Sequence, residues 1–208
     1  MTVFHRTEKK EPLPAALRGG VVAIGNFDGV HRGHQAVLKR ALERAETLGV
    51  PALVLTFEPH PRTVFNPDKP VFRLTPPSSR ARILEAMGFH SVIEYPFDRE
   101  FSQRSAEDFV QSILGDWLGA REVVTGFDFH FGKGREGGPA YLMQAGSRHG
   151  FGVSLVDAFR DEGAHVGRTY GETKDEKGST FLSSYARTLT NGGLRFHTDR
   201  TDVVGLLC

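Results

Sequence analysis

From Val21 to Phe159, short apolar runs take turns with longer stretches whose apolar residues fall three and four apart. No other feature of the chain limits its fold as strongly. Val21-Val22-Ala23-Ile24 closes on Gly25 and reads as a buried strand. Val37, Leu38, Ala41, Leu42, Ala45 and Leu48 then form one face of a helix, with Lys39, Arg40, Glu43 and Arg44 opposite. Gly49 and Pro51 supply its stop. Four more strands are predicted over 52–57, 91–95, 122–125 and 152–156. Thr75-Pro76-Pro77 predicts a helix through Met87, with Thr75 as its cap and proline at the first helical position. Ser105-Ala106-Glu107-Asp108 is a variant capping box ahead of Phe109, Val110, Ile113, Leu114 and Trp117. A further helix is predicted from Pro139 to His149. Strand and helix in strict alternation require parallel crossovers, so the expected fold is α/β, a Rossmann-like doubly wound parallel sheet of five strands.

In such sheets ligands sit beyond the carboxyl ends of the strands. The segments just after the five strands are therefore the place to look, and four of them are rich in Gly, His, Asp, Arg or Pro. Composition removes other classes. Twenty-six basic residues against 25 acidic ones leave a net charge of +1, so there is no broad attraction to nucleic acid or anionic lipid. The one cysteine, Cys208, allows neither an internal disulfide nor a thiolate metal cage. No run approaches the ~18–20 apolar residues of a membrane span, and the first twenty residues lack a secretory apolar core. The expectation is a cytoplasmic protein with no nucleic-acid or membrane partner.

Gly25-Asn26-Phe27-Asp28-Gly29-Val30-His31-Arg32-Gly33-His34 leads from the first strand into the first helix. It lacks the G-x-G-x-x-G spacing of a dinucleotide fingerprint and the Gly-Lys-Ser/Thr of a P-loop. It offers instead two imidazoles, His31 and His34, one turn apart where a helix start attracts phosphate oxygens. Such a pair can stabilise charge building on a phosphoryl centre. Gly33 between them leaves the backbone open to close approach. Two other readings stand beside this one: polar surface residues, or two of three metal ligands, with His60 as the third in a metal-dependent hydrolase.

The same ten residues resemble the G-x-F-D-G-x-H-x-G-H opening of bacterial FAD synthetases, the bifunctional riboflavin kinase/FMN adenylyltransferases. Thr56-Phe57-Glu58-Pro59-His60-Pro61 is similar to their T-F-x-P-H-P segment. Gly126-Phe127-Asp128-Phe129-His130-Phe131-Gly132-Lys133-Gly134-Arg135 is similar to their G-x-D-F-x-F-G-x-x-R loop. The resemblance implies an adenylyltransferase of the H-x-G-H superfamily, moving AMP from ATP to FMN to give FAD and pyrophosphate without a covalent intermediate. It implies that His31 and His34 are catalytic, and that Gly25, Asn26, Phe27, Asp28, Gly33 and Arg135 bind ATP. Pro59, His60, Pro61, Asp128, Phe129 and Phe131 would lie on the flavin side. Mg²⁺ is implied as the companion of ATP, with no dedicated protein metal site. For Phe129 and Phe131 the alternative is simple core packing at a strand end; for Arg135 it is a solvated loop cation.

Residues 1–20 read as an N-terminal extension, 21–160 as the adenylyltransferase domain and 161–208 as an irregular polar tail. The family follows its loop arginine with Gly and then Asp or Asn, but here Gly137 is followed by Gly138. Its later I-S-S-T-x-I-R-like segment is also missing, since Val166-Gly167-Arg168-Thr169-Tyr170-Gly171 stands where it is expected. Ser183-Ser184-Tyr185-Ala186-Arg187 has a similar look but lies well downstream, in a stretch that could hold a short helix. The riboflavin kinase barrel has no counterpart in the tail. The alternative function is therefore a truncated or frameshifted remnant that binds flavin or nucleotide without turnover.

Overall fold

The computed structural model describes residues 2–5 and 12–157, so the expectations for the polar tail lie outside the described residues. Within them, six strands form one sheet: β1 (Thr2–His5), β2 (Val21–Ile24), β3 (Ala52–Glu58), β4 (Ser91–Pro96), β5 (Glu122–Gly126) and β6 (Gly152–Val156). Every neighbouring pair is parallel, in the order β1-β4-β3-β2-β5-β6. The five strands expected from the apolar runs are present. The sixth, β1, comes from the segment read as an extension, and it pairs Thr2–His5 with Ser91–Glu94. Four residues holding only Val3 and Phe4 as apolar members make no run, which is why the pattern passes over them.

The helices are α1 (Arg32–Leu48), α2 (Pro61–Phe65), α3 (Pro77–Met87), α4 (Ala106–Asp108) and α5 (Pro139–His149); α4 continues directly into a π-helical segment, Phe109–Trp117. Gly49 ends α1 with φ at 63°, the left-handed cap its sequence predicts. The Ser105 hydroxyl accepts from the Asp108 N–H at 3.1 Å, as the capping box requires. The start of α3 differs from expectation by one residue. Pro76 is the cap and Pro77 the first helical residue, because Thr75 is engaged elsewhere.

Alternate strand residues feed two cores. Val21, Ala23, Val54, Val92 and Val124 pack with Val37, Leu38 and Ala41 of α1 and Leu84 of α3. Val22, Ile24, Leu53, Leu55, Ile93 and Val123 pack on the other face with Phe109, Ile113 and Leu114 of the π segment and Leu142 of α5. Full burial of one such Leu or Ile contributes roughly 1.5–3 kcal/mol, so a strand covered on both faces is firmly held. From β2 the chain winds outward to β3 and β4, then returns to β5 on the other side. The carboxyl ends of β2 and β5 therefore flank the switch point, where an open α/β sheet forms its crevice.

Candidate active site

The loop after β2 is built around a ring that folds back on its own backbone. A Cβ at Gly25 would lie 3.0 Å from the Phe27 ring, so a side chain there would displace the ring. Phe27 is wholly buried with φ at 50°, and it meets His34 edge-on at 5.5 Å. Asp28–Val30 make one 3-10 turn, and His31 then caps α1: its Nδ1 accepts the His34 N–H at 3.2 Å. The two imidazoles stack, 3.5 Å between centroids and 20° between planes. His34 is only 2% exposed, and neither of its ring nitrogens has a hydrogen-bond partner.

Burial holds both histidines neutral. It pushes His31 down to about 4, with the Asp28 carboxylate partly opposing. It pushes His34 well below the ordinary histidine value, and the neighbouring His31 adds to the effect. Because Nδ1 of His31 accepts a backbone N–H, the neutral ring carries its hydrogen on Nε2, which makes Nε2 a donor.

The loop after β3 begins with a cis peptide between Glu58 and Pro59. His60 caps α2, its Nδ1 accepting the Arg62 N–H at 3.1 Å. The Asn26 amide lies 3.2 Å from His60 Nε2. Burial, reinforced by the Arg73 and Arg62 guanidiniums, brings His60 down to about 4. Pro59 is exposed and Pro61 half-buried.

Asp28 is tied to the segment that leads into α3. Its carboxylate accepts the Leu74 N–H at 3.0 Å, the Thr75 N–H at 2.8 Å and the Thr75 hydroxyl at 3.1 Å. The Gly29 N–H in turn donates to the Thr75 hydroxyl oxygen at 2.7 Å. These bonds are what draw Thr75 out of the capping position of α3.

The loop after β5 is a compact fold of its own. Phe131 and Gly137 form an antiparallel bridge, and a Cβ at Gly137 would stand 2.7 Å from the Phe131 ring. Gly132, with φ at 75°, passes so close to α4 that a Cβ would lie 2.7 Å from the Ala106 nitrogen. Glu136 accepts that same Ala106 N–H at 2.7 Å. Phe129 and Phe131 are 6% and 8% exposed and stack on each other at 5.4 Å, with Phe109 and Tyr141 against Phe131. Their rings belong to the core beneath the loop. Asp128 is half-buried, while Arg135 is exposed with φ at 62°.

The three loops thus meet at one end of the sheet, and Asn26 and His60 join two of them directly. Sequence reasoning missed Arg80, Glu58, Glu94, Arg73 and Thr75, which support this arrangement from behind. An arginine in the run Ser78-Ser79-Arg80-Ala81-Arg82 carries no pattern that sets it apart from a solvated helix face. Among the described residues no group of three His, Cys, Asp or Glu side chains is placed to hold a metal ion. Nor, among them, is any helix long and apolar enough to cross a membrane.

A doubly wound sheet whose switch point carries an H-x-G-H helix start defines a nucleotidyltransferase-type α/β domain. The profile of the FAD synthetase family matches residues 13–170, and the chain belongs to that family. It is 43% identical over 152 residues to a bifunctional riboflavin kinase/FMN adenylyltransferase of Pseudomonas fluorescens, covering 73% of this chain and 49% of that protein. It is 37% identical over 155 residues to the protein of the same description from Escherichia coli K12, covering 74% and 50%. The chain spans about half the length of these curated relatives. Among solved structures, one described as a macrolide-efflux protein from Streptococcus pneumoniae superposes with a TM-score of 0.67 at 23% identity, covering 83% of this chain and 55% of that one. At that identity the likeness speaks to the fold alone.

Proposed function

We propose that this domain transfers AMP from ATP to FMN, releasing pyrophosphate and forming FAD. The observation that carries the reading is the stacked, neutral His31–His34 pair at the opening of α1, beside the switch point, in a chain of the FAD synthetase family. An FMN phosphate oxygen attacks the α-phosphorus of ATP. The bond from that phosphorus to the α–β bridging oxygen breaks, and its electron pair leaves with pyrophosphate. The protein's work is to align the two phosphates and to stabilise charge on the leaving group.

His31 suits this as a neutral Nε2–H donor held by its own cap bond. His34, buried with unpartnered nitrogens, gains its hydrogen-bond partners when a polyphosphate arrives. Gly25, Asn26, Phe27 and Asp28 shape the ATP loop, Asp28 through its bonds to Leu74 and Thr75. Gly33 leaves the first turn of α1 open to the phosphates, and exposed Arg135 can grip one bidentately. Pro59, His60 and Pro61 form the flavin-side wall with Asp128 at its rim. Phe129 and Phe131 contribute from underneath by fixing the loop, and the exposed aromatics of the segment between β3 and α3 are Phe65 and Phe72, 58% and 87% exposed. Mg²⁺ would enter with ATP rather than on a protein cage, and would supply neutralisation of the phosphate charge.

The test is pyrophosphate release from ATP, FMN and Mg²⁺. The full chain is expected to turn over, and His31→Ala or His34→Ala to lower kcat by about 10²–10³-fold. FMN or ATP binding without turnover would instead identify a non-catalytic remnant. Hydrolysis that needs a transition metal and ignores FMN would overturn the reading.

A further inference from the structure

Arg80, in the first turn of α3, is 0% exposed, and a fully buried arginine occurs only when it is paired. Its Nη2 reaches Glu58 Oε1 at 2.9 Å and Glu94 Oε1 at 3.2 Å. The other Glu58 oxygen accepts from Arg73 at 2.8 Å, so two guanidiniums face two carboxylates. Removing such ions from water costs several kcal/mol each, and the attraction regained inside roughly cancels that cost. Stability is therefore a weak reason for the cluster. Position is a better one, because the other terminal nitrogen, Nη1, donates to the Asn26 carbonyl at 3.2 Å, while Nε is buried without a partner. Asn26 opens the loop that leads to His31, and its side chain binds His60. Two residues further on, Asp28 is held by Leu74 and Thr75, the residues that lead into α3. The approach and first turn of α3 thus grip the loop at two points.

We propose that Arg80 is a positioning residue for the transfer reaction, fixing through the Asn26 carbonyl the loop that presents His31 and His34 and, through the Asn26 side chain, the loop of His60. The inference rests on the adenylyl-transfer reading for its kinetic consequence but not for its structural one.

The test uses Arg80→Lys in the full chain. Lysine keeps the charge balance beside Glu58 and Glu94 but loses the planar fork that also reaches Asn26. The expected result is a kcat about 10–100-fold lower, KM values for ATP and FMN within about threefold, and a thermal midpoint near wild type. In the ligand-free protein the His60 and His31 imidazole NMR signals are expected to move. Arg44→Lys is the comparison: Arg44 pairs with buried Glu122 at the first residue of β5, the far end of the sheet. It should leave kcat and those signals unchanged. If Arg80→Lys does not fold, Arg80→Met combined with Glu94→Gln removes one charge of each sign and carries the same expectations.

Unchanged kcat with unmoved histidine signals overturns the proposal, as does a kcat loss that only parallels a loss of folded protein. If the wild type releases no pyrophosphate, the transfer reading fails. The positioning inference then stands or falls on whether the His60 and His31 signals move.

Discussion

Val30 is a β-branched residue with φ at 40°, immediately before the histidine that caps α1. Valine in that region is strained, typically by about 1–3 kcal/mol, and such strain persists only where its surroundings enforce it. Here Val30 is buried in the α1 core while the Gln35 amide donates to its carbonyl at 2.9 Å. Val30→Gly removes a buried side chain, at roughly 1.5–3 kcal/mol, and frees the chain, so even with the strain relieved it is expected to lower unfolding free energy by about 1 kcal/mol. It should also lower kcat several-fold, because the loop no longer holds His31 in one place. Urea unfolding and the pyrophosphate assay measure the two effects, and a loss of about 3 kcal/mol or more, the full cost of the buried side chain and the freer chain, would show that the valine is not strained. None of this is legible in the residue string, where Val30 is one apolar letter in a polar motif. The same holds for Asp28: its partners Leu74 and Thr75 stand nearly fifty positions away, so the motif gives no sign that the carboxylate also tethers the approach to α3.

At the scale of elements, the loop after β5 places two adjacent glycines in opposite circumstances. Gly137 lies under the Phe131 ring, so Gly137→Ala must push the ring or the bridge aside, at about 1–3 kcal/mol. Gly138 is the N-cap of α5 and makes no side-chain cap bond. A Cβ there meets His130 at 3.5 Å, an ordinary contact. Gly138→Asp is therefore expected to stabilise the protein by roughly 0.5 kcal/mol, through an added cap bond and a favourable charge at the helix start. Thermal unfolding of both variants checks the pair, and a Gly138→Asp protein that melts lower would refute the capping argument. The position where this chain departs from its family's Asp or Asn is thus the cap of α5. Elements were readable from sequence where burial on both faces forces an apolar run, as in β2 to β5, or where an amphipathic face is long, as in α1. α2 escaped because Pro61–Phe65 is shorter than two helical turns, and Phe129 and Phe131 left two readings open because core and ligand surfaces both favour aromatic rings.

For the molecule as a whole, the site histidines impose a pH dependence on folding. Burial brings His31 and His60 down to about 4, whereas an unfolded chain protonates them near 6.5. Between those values the unfolded state binds more protons, so stability is full near pH 7 and falls as pH drops from about 6.5 toward 4. The expected loss is on the order of 1 kcal/mol per histidine once solvent screening is allowed for. Urea unfolding at pH 7.5, 6 and 5 measures it; His31→Ala with His60→Ala should flatten the trend, and a flat wild-type profile would contradict it. Polyphosphate favours the charged imidazole, so ATP should shift the same fall to lower pH.

The strand contributed by Thr2–His5 has a practical consequence at the same scale. It covers the side of β4 that would otherwise present a row of unpaired amides and carbonyls, a template on which another chain can add. Trimming residues 1–5 is expected to turn a sheet margin into an adhesive seam, so that the shortened protein self-associates as its concentration rises while the crevice beside β2, three strands away, is left intact.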